Sequence, residues 1–237
     1  MADSGNTRQM TVLTTTTENL PDFKLSIQQP KHGYRYNLEP FILADFIDLE
    51  KGESVLDLGT GVGIIPLLLA RQFPAVGKCT GIEIQPELAE IARRNVKINS
   101  LQQQITIIQG DYRLHRQLAP PSSFSTVIAN PPYYPQQQGR LNNCRQKAIA
   151  RHEITTDLDS LVDAAAFFIK PGGRFVASYP AERLPTLINA CQRRKLTPKY
   201  LQCVHSQPSE PAELILLAAR QNGNKGLQIT APRYLHP

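Results

Sequence analysis

The chain of 237 residues is long enough for one large domain, or for one domain with appendages, and it can bury a substantial core. Its sequence contains no apolar run of the ~20 residues that a membrane helix needs, and its first 18 residues are too polar for a secretory signal. These features argue against a membrane protein and an exported one, and we expect a cytoplasmic protein with no membrane partner.

The net charge and the spacing of the cysteines indicate which binding partners the chain suits. The net charge of +6 fits a polyanionic partner such as a nucleic acid. The four cysteines form no Cys-x-x-Cys pair, and no histidine lies at zinc spacing. The sequence therefore predicts reduced thiols and neither a metal site nor a disulfide framework.

The first 50 residues read as an N-terminal extension that packs on the main domain. Leu25–Ile27 alternates like a short strand, and Glu39–Ile47 has the apolar spacing of a helix. Between them Tyr34 and Tyr36 flank Arg35. This aromatic and basic cluster either lies on a hairpin surface or lines a cofactor mouth and touches RNA, so the three residues are candidate substrate contacts.

A glycine motif follows the extension. Ser54–Leu58 is strand-like, and Ile64–Ala70 is an apolar helix. Glycines between a strand and a helix allow positive φ and bring backbone N–H donors close to a ligand. The candidate cofactor-binding residues in this turn are Gly59, Thr60, Gly61 and Gly63.

Two acids decide which cofactor the turn suits. Asp57 stands on the strand just before the glycines, where it would repel a pyrophosphate but attract an ammonium group. Glu83, followed by Ile84, ends the next predicted strand and can chelate a ribose diol with two oxygens. The pair favours a nucleoside with an amino-acid end over a dinucleotide.

Polar residues also follow the next two predicted strands. Ile105–Gln109 leads into Gly110, Asp111 and Tyr112, and Thr126–Ala129 leads into Asn130. In an open α/β sheet, ligands bind beyond the carboxyl ends of the strands. We therefore expect all of these residues at one edge of the sheet.

The stretch Asn130-Pro131-Pro132-Tyr133 has its own chemistry. Two prolines make a stiff segment just past the strand. The Asn130 side chain and the Pro131 carbonyl offer acceptors for the two N–H bonds of a planar amine, and the Tyr133 ring offers a stacking face. These four residues are the candidate catalytic group.

The motifs resemble those of a known superfamily. Asp-Leu-Gly-Thr-Gly-Val-Gly is similar to the first motif of class I methyltransferases that use S-adenosylmethionine (SAM), and Asn-Pro-Pro-Tyr resembles the signature of those that methylate exocyclic or amide nitrogens. Gly33–Tyr36 and Ala150–Glu153 look like segments of bacterial tRNA methyltransferases that modify the N6 amine of an adenosine next to the anticodon. By pattern, the resemblance covers residues 25 to 220.

The resemblance implies a fold and a function. The fold would be a doubly wound α/β sheet over residues 51–220, mostly parallel with an antiparallel last strand, followed by a loosely packed tail at 221–237. SAM would be the cofactor, with its adenine framed by Gly110, Asp111 and Tyr112, and RNA, expected to be tRNA, would be the partner. Further candidate substrate contacts are Tyr134, Arg140, Arg151 and His152.

The same motifs are compatible with several related functions. A protein-glutamine N5-methyltransferase uses the same four residues for an amide nitrogen, but by resemblance it carries a helical N-terminal domain, and only a short segment precedes the glycine motif here. A guanine-N2 rRNA methyltransferase is a further alternative. A non-catalytic module that binds SAM or RNA is another, but the intact Asn130–Tyr133 stretch argues against it. DNA adenine methylation is disfavoured because the span between Tyr134 and His152 leaves no room for a sequence-reading domain.

Overall fold

The computed structural model describes residues 13–131 and 158–236, and it confirms the predicted doubly wound α/β sheet. The strands, numbered in chain order, are β1 (Thr15–Leu20), β2 (Leu25–Pro30), β3 (Val55–Leu58), β4 (Cys79–Glu83), β5 (Ile105–Gln109), β6 (Phe124–Ala129), β7 (Ile169–Pro180), β8 (Leu196–His205), β9 (Ala212–Gln221), β10 (Gln228–Ile229) and β11 (Arg233–Tyr234). The helices are α1 (Glu39–Phe46), α2 (Ile64–Gln72), α3 (Pro86–Ile98), α4 (Leu158–Phe168) and α5 (Leu184–Arg193).

The central sheet is mostly parallel. Its order within the described ranges is β10-β8-β9-β7-β6-β3-β4-β5, with β11 also paired to β8. Neighbours from β7 to β5 run parallel, and β9 is antiparallel to both β7 and β8, as the sequence predicted. Because β3 lies in the middle, with β4 on one side and β6 on the other, the ends of β3, β4 and β6 meet at one edge.

Helices cover both faces of the sheet. Apolar residues of α1, α2 and α3 form a core on one face, and those of α4 and α5 form a second core on the other. Strand β3 contributes to both, because Val55 packs in the first core and Leu56 in the second. This alternation is what a strand buried on both faces requires.

An N-terminal hairpin attaches to the sheet through helix α3. Strands β1 and β2 pair antiparallel, and β1 was not predicted. Asn95 of α3 accepts from the Gln28 N–H (2.7 Å) and donates to the Gln28 carbonyl (2.8 Å), and Asn99 does the same for Ser26 (2.9 and 2.8 Å). The two side-chain amides thus make the hydrogen bonds to β2 that the backbone of a neighbouring strand would otherwise make.

The C-terminal segment differs from the expectation of a loose tail. Its residues 228–229 and 233–234 add two short parallel strands beside β8, and Arg233 forms a 3.0 Å ion pair with Asp45 of α1. The edge of β8 offers unpaired backbone groups, which the tail satisfies. The tail is polar, so its sequence lacks the apolar alternation by which strands are found.

The described residues offer neither a membrane-spanning helix nor a cluster of metal ligands. No helix there has the length and apolar character to cross a membrane. No group of three or more His, Cys, Asp or Glu side chains in residues 13–131 and 158–236 could hold a metal ion.

Candidate cofactor and catalytic site

The glycine turn is fixed to the neighbouring strand. The N–H groups of Gly59 and Thr60 both donate to the carbonyl of Ile82 at 2.9 Å, and the Gly63 N–H donates to the Thr60 carbonyl at 2.9 Å. Gly63 has φ +82° and directly precedes α2. A left-handed residue at this position is easiest for glycine, so the turn can bring the start of α2 to the sheet edge.

Asp57 is a buried carboxylate on β3. Its side chain is 1% exposed, and neither of its oxygens has a hydrogen-bond partner among the described residues. Burial raises the pKa of Asp57 to about 7, the Thr60 hydroxyl opposes the rise, and the charge of Glu83 adds to it. The Thr60 hydroxyl nevertheless makes no hydrogen bond of normal geometry within the described structure. Buried polar atoms of this kind are rarely left unsatisfied.

Glu83 is the last residue of β4 and lies beside the glycine turn. One of its oxygens accepts from the Gly61 N–H at 2.9 Å, and the other accepts from the Gln85 N–H at 2.8 Å. Burial raises the pKa of Glu83, and these backbone hydrogen bonds oppose the rise. Because each carboxylate oxygen can accept more than one hydrogen bond, Glu83 keeps acceptor capacity for a diol.

Tyr34 lies over the glycine turn. A Cβ added at Gly61, which has φ +58°, would sit 2.9 Å from Tyr34 Cε1 and 3.0 Å from its hydroxyl. Burial raises the pKa of Tyr34, and the charges of Glu83 and Asp57 raise it further. The structure therefore brings Tyr34, and with it the N-terminal extension, to the site that the two acids form.

The other two residues of that cluster lie differently. Arg35 is exposed, and its Nη1 donates to Thr16 Oγ1 at 2.8 Å and to the Pro30 carbonyl at 3.3 Å, so it is held against the hairpin. Tyr36 packs its ring against Phe41, with 5.9 Å between ring centroids. Their assignment as substrate contacts stays a prediction.

In the segment after β5, the Asp111 carboxylate already has a partner within the chain. Asp111 accepts from the backbone N–H of Arg113 at 2.9 Å and forms an ion pair with its guanidinium at 2.5 Å. Partial burial raises the pKa of Asp111, but the hydrogen bonds from Arg113 outweigh it and hold the pKa below its usual value. Tyr112 is 7% exposed and packs in the second core.

Gly110 and Ile84, the remaining candidate cofactor-binding residues, lie close to the sheet edge. The Gly110 N–H donates to the Glu83 carbonyl at 2.9 Å, which ties the end of β5 to that of β4. Ile84 is half-buried directly after Glu83. Both residues can therefore form one wall of a pocket beside Glu83.

Asn130 follows β6 at the same edge. The register pairs Asp57 of β3 with Ile128 of β6, and Leu58 with Ala129. Asn130 is half-buried, and its Oδ1 accepts from the Ser178 hydroxyl at 2.6 Å. Pro131 is buried. The other candidates in this region lie outside the described residues, namely Pro132, Tyr133, Tyr134, Arg140, Arg151 and His152.

Sequence reasoning missed two polar groups that support this site. Ser178 of β7 is fully buried and contacts Asn130, and Asn95 of α3 donates to the Val62 carbonyl in the glycine turn at 2.9 Å. A signal for each was present, since serine is unusual in a buried strand and asparagine is unusual on the apolar side of a helix.

The residues present fit SAM. The two unpartnered oxygens of Asp57 suit its ammonium group, and the acceptor oxygens of Glu83 suit its ribose hydroxyls. At Gly61 the Tyr34 ring occupies the space that a Cβ would take, so Tyr34 and the glycine turn are in close contact. No charge in this group would attract a pyrophosphate.

Comparison with known sequences agrees with this geometry. Residues 25–138, just under half of the chain, match the family described as protein-L-isoaspartate(D-aspartate) O-methyltransferase (PCMT). The chain is 34% identical over 166 residues to a tRNA1(Val) (adenine(37)-N6)-methyltransferase of Porphyromonas gingivalis, which is 69% of this chain and 64% of that relative. It is 26% identical over 208 residues to one of a Flavobacteriaceae bacterium, covering 87% of this chain and 85% of the relative. The match thus spans slightly less than two thirds of the Porphyromonas protein.

Solved structures share the fold. A predicted O-methyltransferase of Agrobacterium tumefaciens, Atu636, superposes with a TM-score of 0.67 at 21% identity, covering 83% of this chain and 87% of that one. The tRNA m1G37 methyltransferase of M. jannaschii superposes with a TM-score of 0.63 at 16% identity, covering 90% of this chain and 58% of that one. Both matches confirm the fold predicted from the sequence motifs.

Proposed function

We infer that this chain, which has the class I methyltransferase fold and resembles the bacterial tRNA (adenine-N6)-methyltransferases, transfers a methyl group from SAM to the N6 amine of an adenosine in RNA. The proposed substrate is a tRNA, at an adenosine near the anticodon. The observation that carries this proposal is the placement of Asn130 at the sheet edge that also holds Asp57 and Glu83. The positive net charge and the names of the similar tRNA methyltransferases also support an RNA substrate.

The cofactor pocket would be formed by three groups of this chain. Asp57 would hold the ammonium group, Glu83 the ribose hydroxyls, and the glycine turn would bring backbone close to the amino-acid end. When bound, SAM supplies an electrophilic methyl group on a sulfonium. Tyr34 would cover the same pocket from the N-terminal extension and exclude water from it.

The residues after β6 would prepare the nucleophile. An aromatic amine is a poor nucleophile because its lone pair is delocalised into the ring. The Asn130 side chain and the Pro131 carbonyl would accept its two N–H bonds, favour a tetrahedral nitrogen with a free lone pair, and stabilise the developing positive charge. The methylated ammonium is acidic and loses its proton to water, so the residues need not include a strong base. Tyr133 would stack on the base, which an unpaired loop presents at low cost.

Methyl transfer from labelled SAM to total tRNA, followed by nucleoside analysis, tests the proposal. We expect N6-methylated adenosine as the product. Asn130→Ala should reduce the rate at least ~100-fold, as expected for loss of a group that stabilises developing charge, while SAM affinity is kept. Asn224→Ala is the matched control, because Asn224 is exposed in the C-terminal segment, beyond the end of β9.

Two results would contradict the proposal. Full activity of the Asn130→Ala variant would remove Asn130 from the reaction. Label incorporated into protein rather than tRNA would favour glutamine N5-methylation instead.

A further inference from the structure

Ser178 is a buried hydroxyl next to the candidate catalytic asparagine. It lies in β7, one residue beyond Ala177, which pairs with Ala129 of β6. Ser178 is 0% exposed, and its Oγ donates to Asn130 Oδ1 at 2.6 Å. Its strand neighbours Ala177 and Tyr179 are equally buried. A buried strand favours apolar, β-branched residues, so a serine here is costly unless its hydroxyl is hydrogen-bonded.

The hydrogen bond from the Ser178 hydroxyl restrains the terminal torsion of the Asn130 side chain. The terminal torsion of asparagine is broad, and rotation exchanges an acceptor oxygen for an NH2 donor. Because the target amine donates its N–H bonds, the Asn130 side chain must present its oxygen to it. In the structure the Ser178 hydroxyl donates to Oδ1 and so favours the rotation with the amide oxygen on this side, and a carbonyl oxygen can accept more than one hydrogen bond.

We propose that Ser178 is a positioning residue that orients the Asn130 amide for methyl transfer. This inference rests on the proposed function of Asn130. Ser178 does not itself contact the substrate or the cofactor in this scheme. Its effect therefore belongs to turnover, and not to the binding of SAM or RNA.

The test uses Ser178→Ala, Ser178→Thr and a control, Thr126→Val, in the full-length protein. Thr126 is also a 0% exposed residue of the sheet with a hydroxyl, but it lies in the amino-terminal half of β6, where it contacts Glu53 and Arg174 rather than Asn130. We expect Ser178→Ala to lower kcat on total tRNA about tenfold, the loss that follows from a misoriented catalytic group. Its KM for tRNA and Kd for SAM should stay within about twofold. Ser178→Thr keeps the hydroxyl and should recover most of the rate, and Thr126→Val should leave kcat unchanged.

A second readout does not depend on activity. The side-chain NH2 signals of Asn130 can be assigned in a ¹⁵N-asparagine-labelled protein by their loss in Asn130→Ala. Without cofactor or RNA, Ser178→Ala should increase the fast motion of this NH2 group, seen as a lower heteronuclear NOE, and Thr126→Val should not.

The outcomes separate the two proposals. If the NH2 motion is unchanged in Ser178→Ala, or if kcat stays within twofold of the parent, the positioning role is wrong. An equal loss of kcat in Thr126→Val would also overturn it, because the effect would then be general to the fold. If the parent does not methylate tRNA, the proposed function fails, and the NMR result alone decides whether Ser178 orients Asn130.

Discussion

The pH dependence of SAM binding tests the role of Asp57 directly. Burial raises its pKa to about 7 from 3.8, so the free protein below pH 7 holds Asp57 protonated. Pairing with an ammonium requires the ionised form, and a proton must then be released on binding. The affinity should therefore fall as pH falls. A single group with a pKa of about 7 weakens binding by about fivefold between pH 7 and 6, and by about 15-fold between pH 7 and 5.5.

Calorimetric titration with SAM between pH 5.5 and 7.0 measures this slope. The range stays below the α-amino pKa of about 7.7–8.0, so the cofactor itself keeps its charge. Titration in buffers of different ionisation enthalpy reports the proton released. The same titration with Asp57→Asn is the control, since Glu83, whose pKa is also raised by burial, remains in that variant.

Two results would refute this reasoning. An affinity that is constant from pH 7 to 5.5 would mean that Asp57 is already ionised or does not contact the ammonium. If the SAM affinity of Asp57→Asn depended on pH to the same extent, the group that titrates would be Glu83 or another residue.

Two further predictions concern groups around the pocket. Asn95→Leu leaves the N–H and carbonyl of Gln28 without partners and should lower the free energy of unfolding by roughly 2–4 kcal/mol in urea denaturation, so a change below about 1 kcal/mol would contradict the role of this side chain. Gly61→Ala should weaken SAM binding by about tenfold or more, because the new Cβ meets Tyr34 at 2.9 Å and the backbone has positive φ. Adding Tyr34→Ala should restore part of that loss in the same titration. Gly172→Ala, also at positive φ but with nothing within 4 Å of the new Cβ, should leave binding unchanged.

Local sequence patterns predicted the elements that carry apolar runs. Strand β6 and helix α2 were found because their apolar residues are contiguous in sequence. The rule that ligands bind beyond strand ends then grouped Asp57, Glu83 and Asn130, and the register places these residues at one edge.

Contacts between residues far apart in the sequence were not predictable, even where the residue type was itself unusual for its position. Asn95 and Ser178 are polar residues whose partners lie 67 and 48 positions away, and no local pattern encodes such pairs. Ile98 lies seven residues after the buried Ile91 but is itself 46% exposed. The helix instead turns Asn95 and Asn99 towards the hairpin. Helical spacing shows which residues share a face, but it does not show whether that face makes polar or apolar contacts.

The paired asparagines on α3 set a spacing rule for the N-terminal hairpin. Four residues of helix rise about 6 Å, and two residues of strand rise about 6.6 Å, so Asn95 and Asn99 match Gln28 and Ser26. Both amides bind main-chain groups only, so this part of the attachment does not depend on the side chains of Ser26 and Gln28. An inserted or deleted residue between positions 26 and 28 cannot be tolerated in the same way, because it would break the match in length.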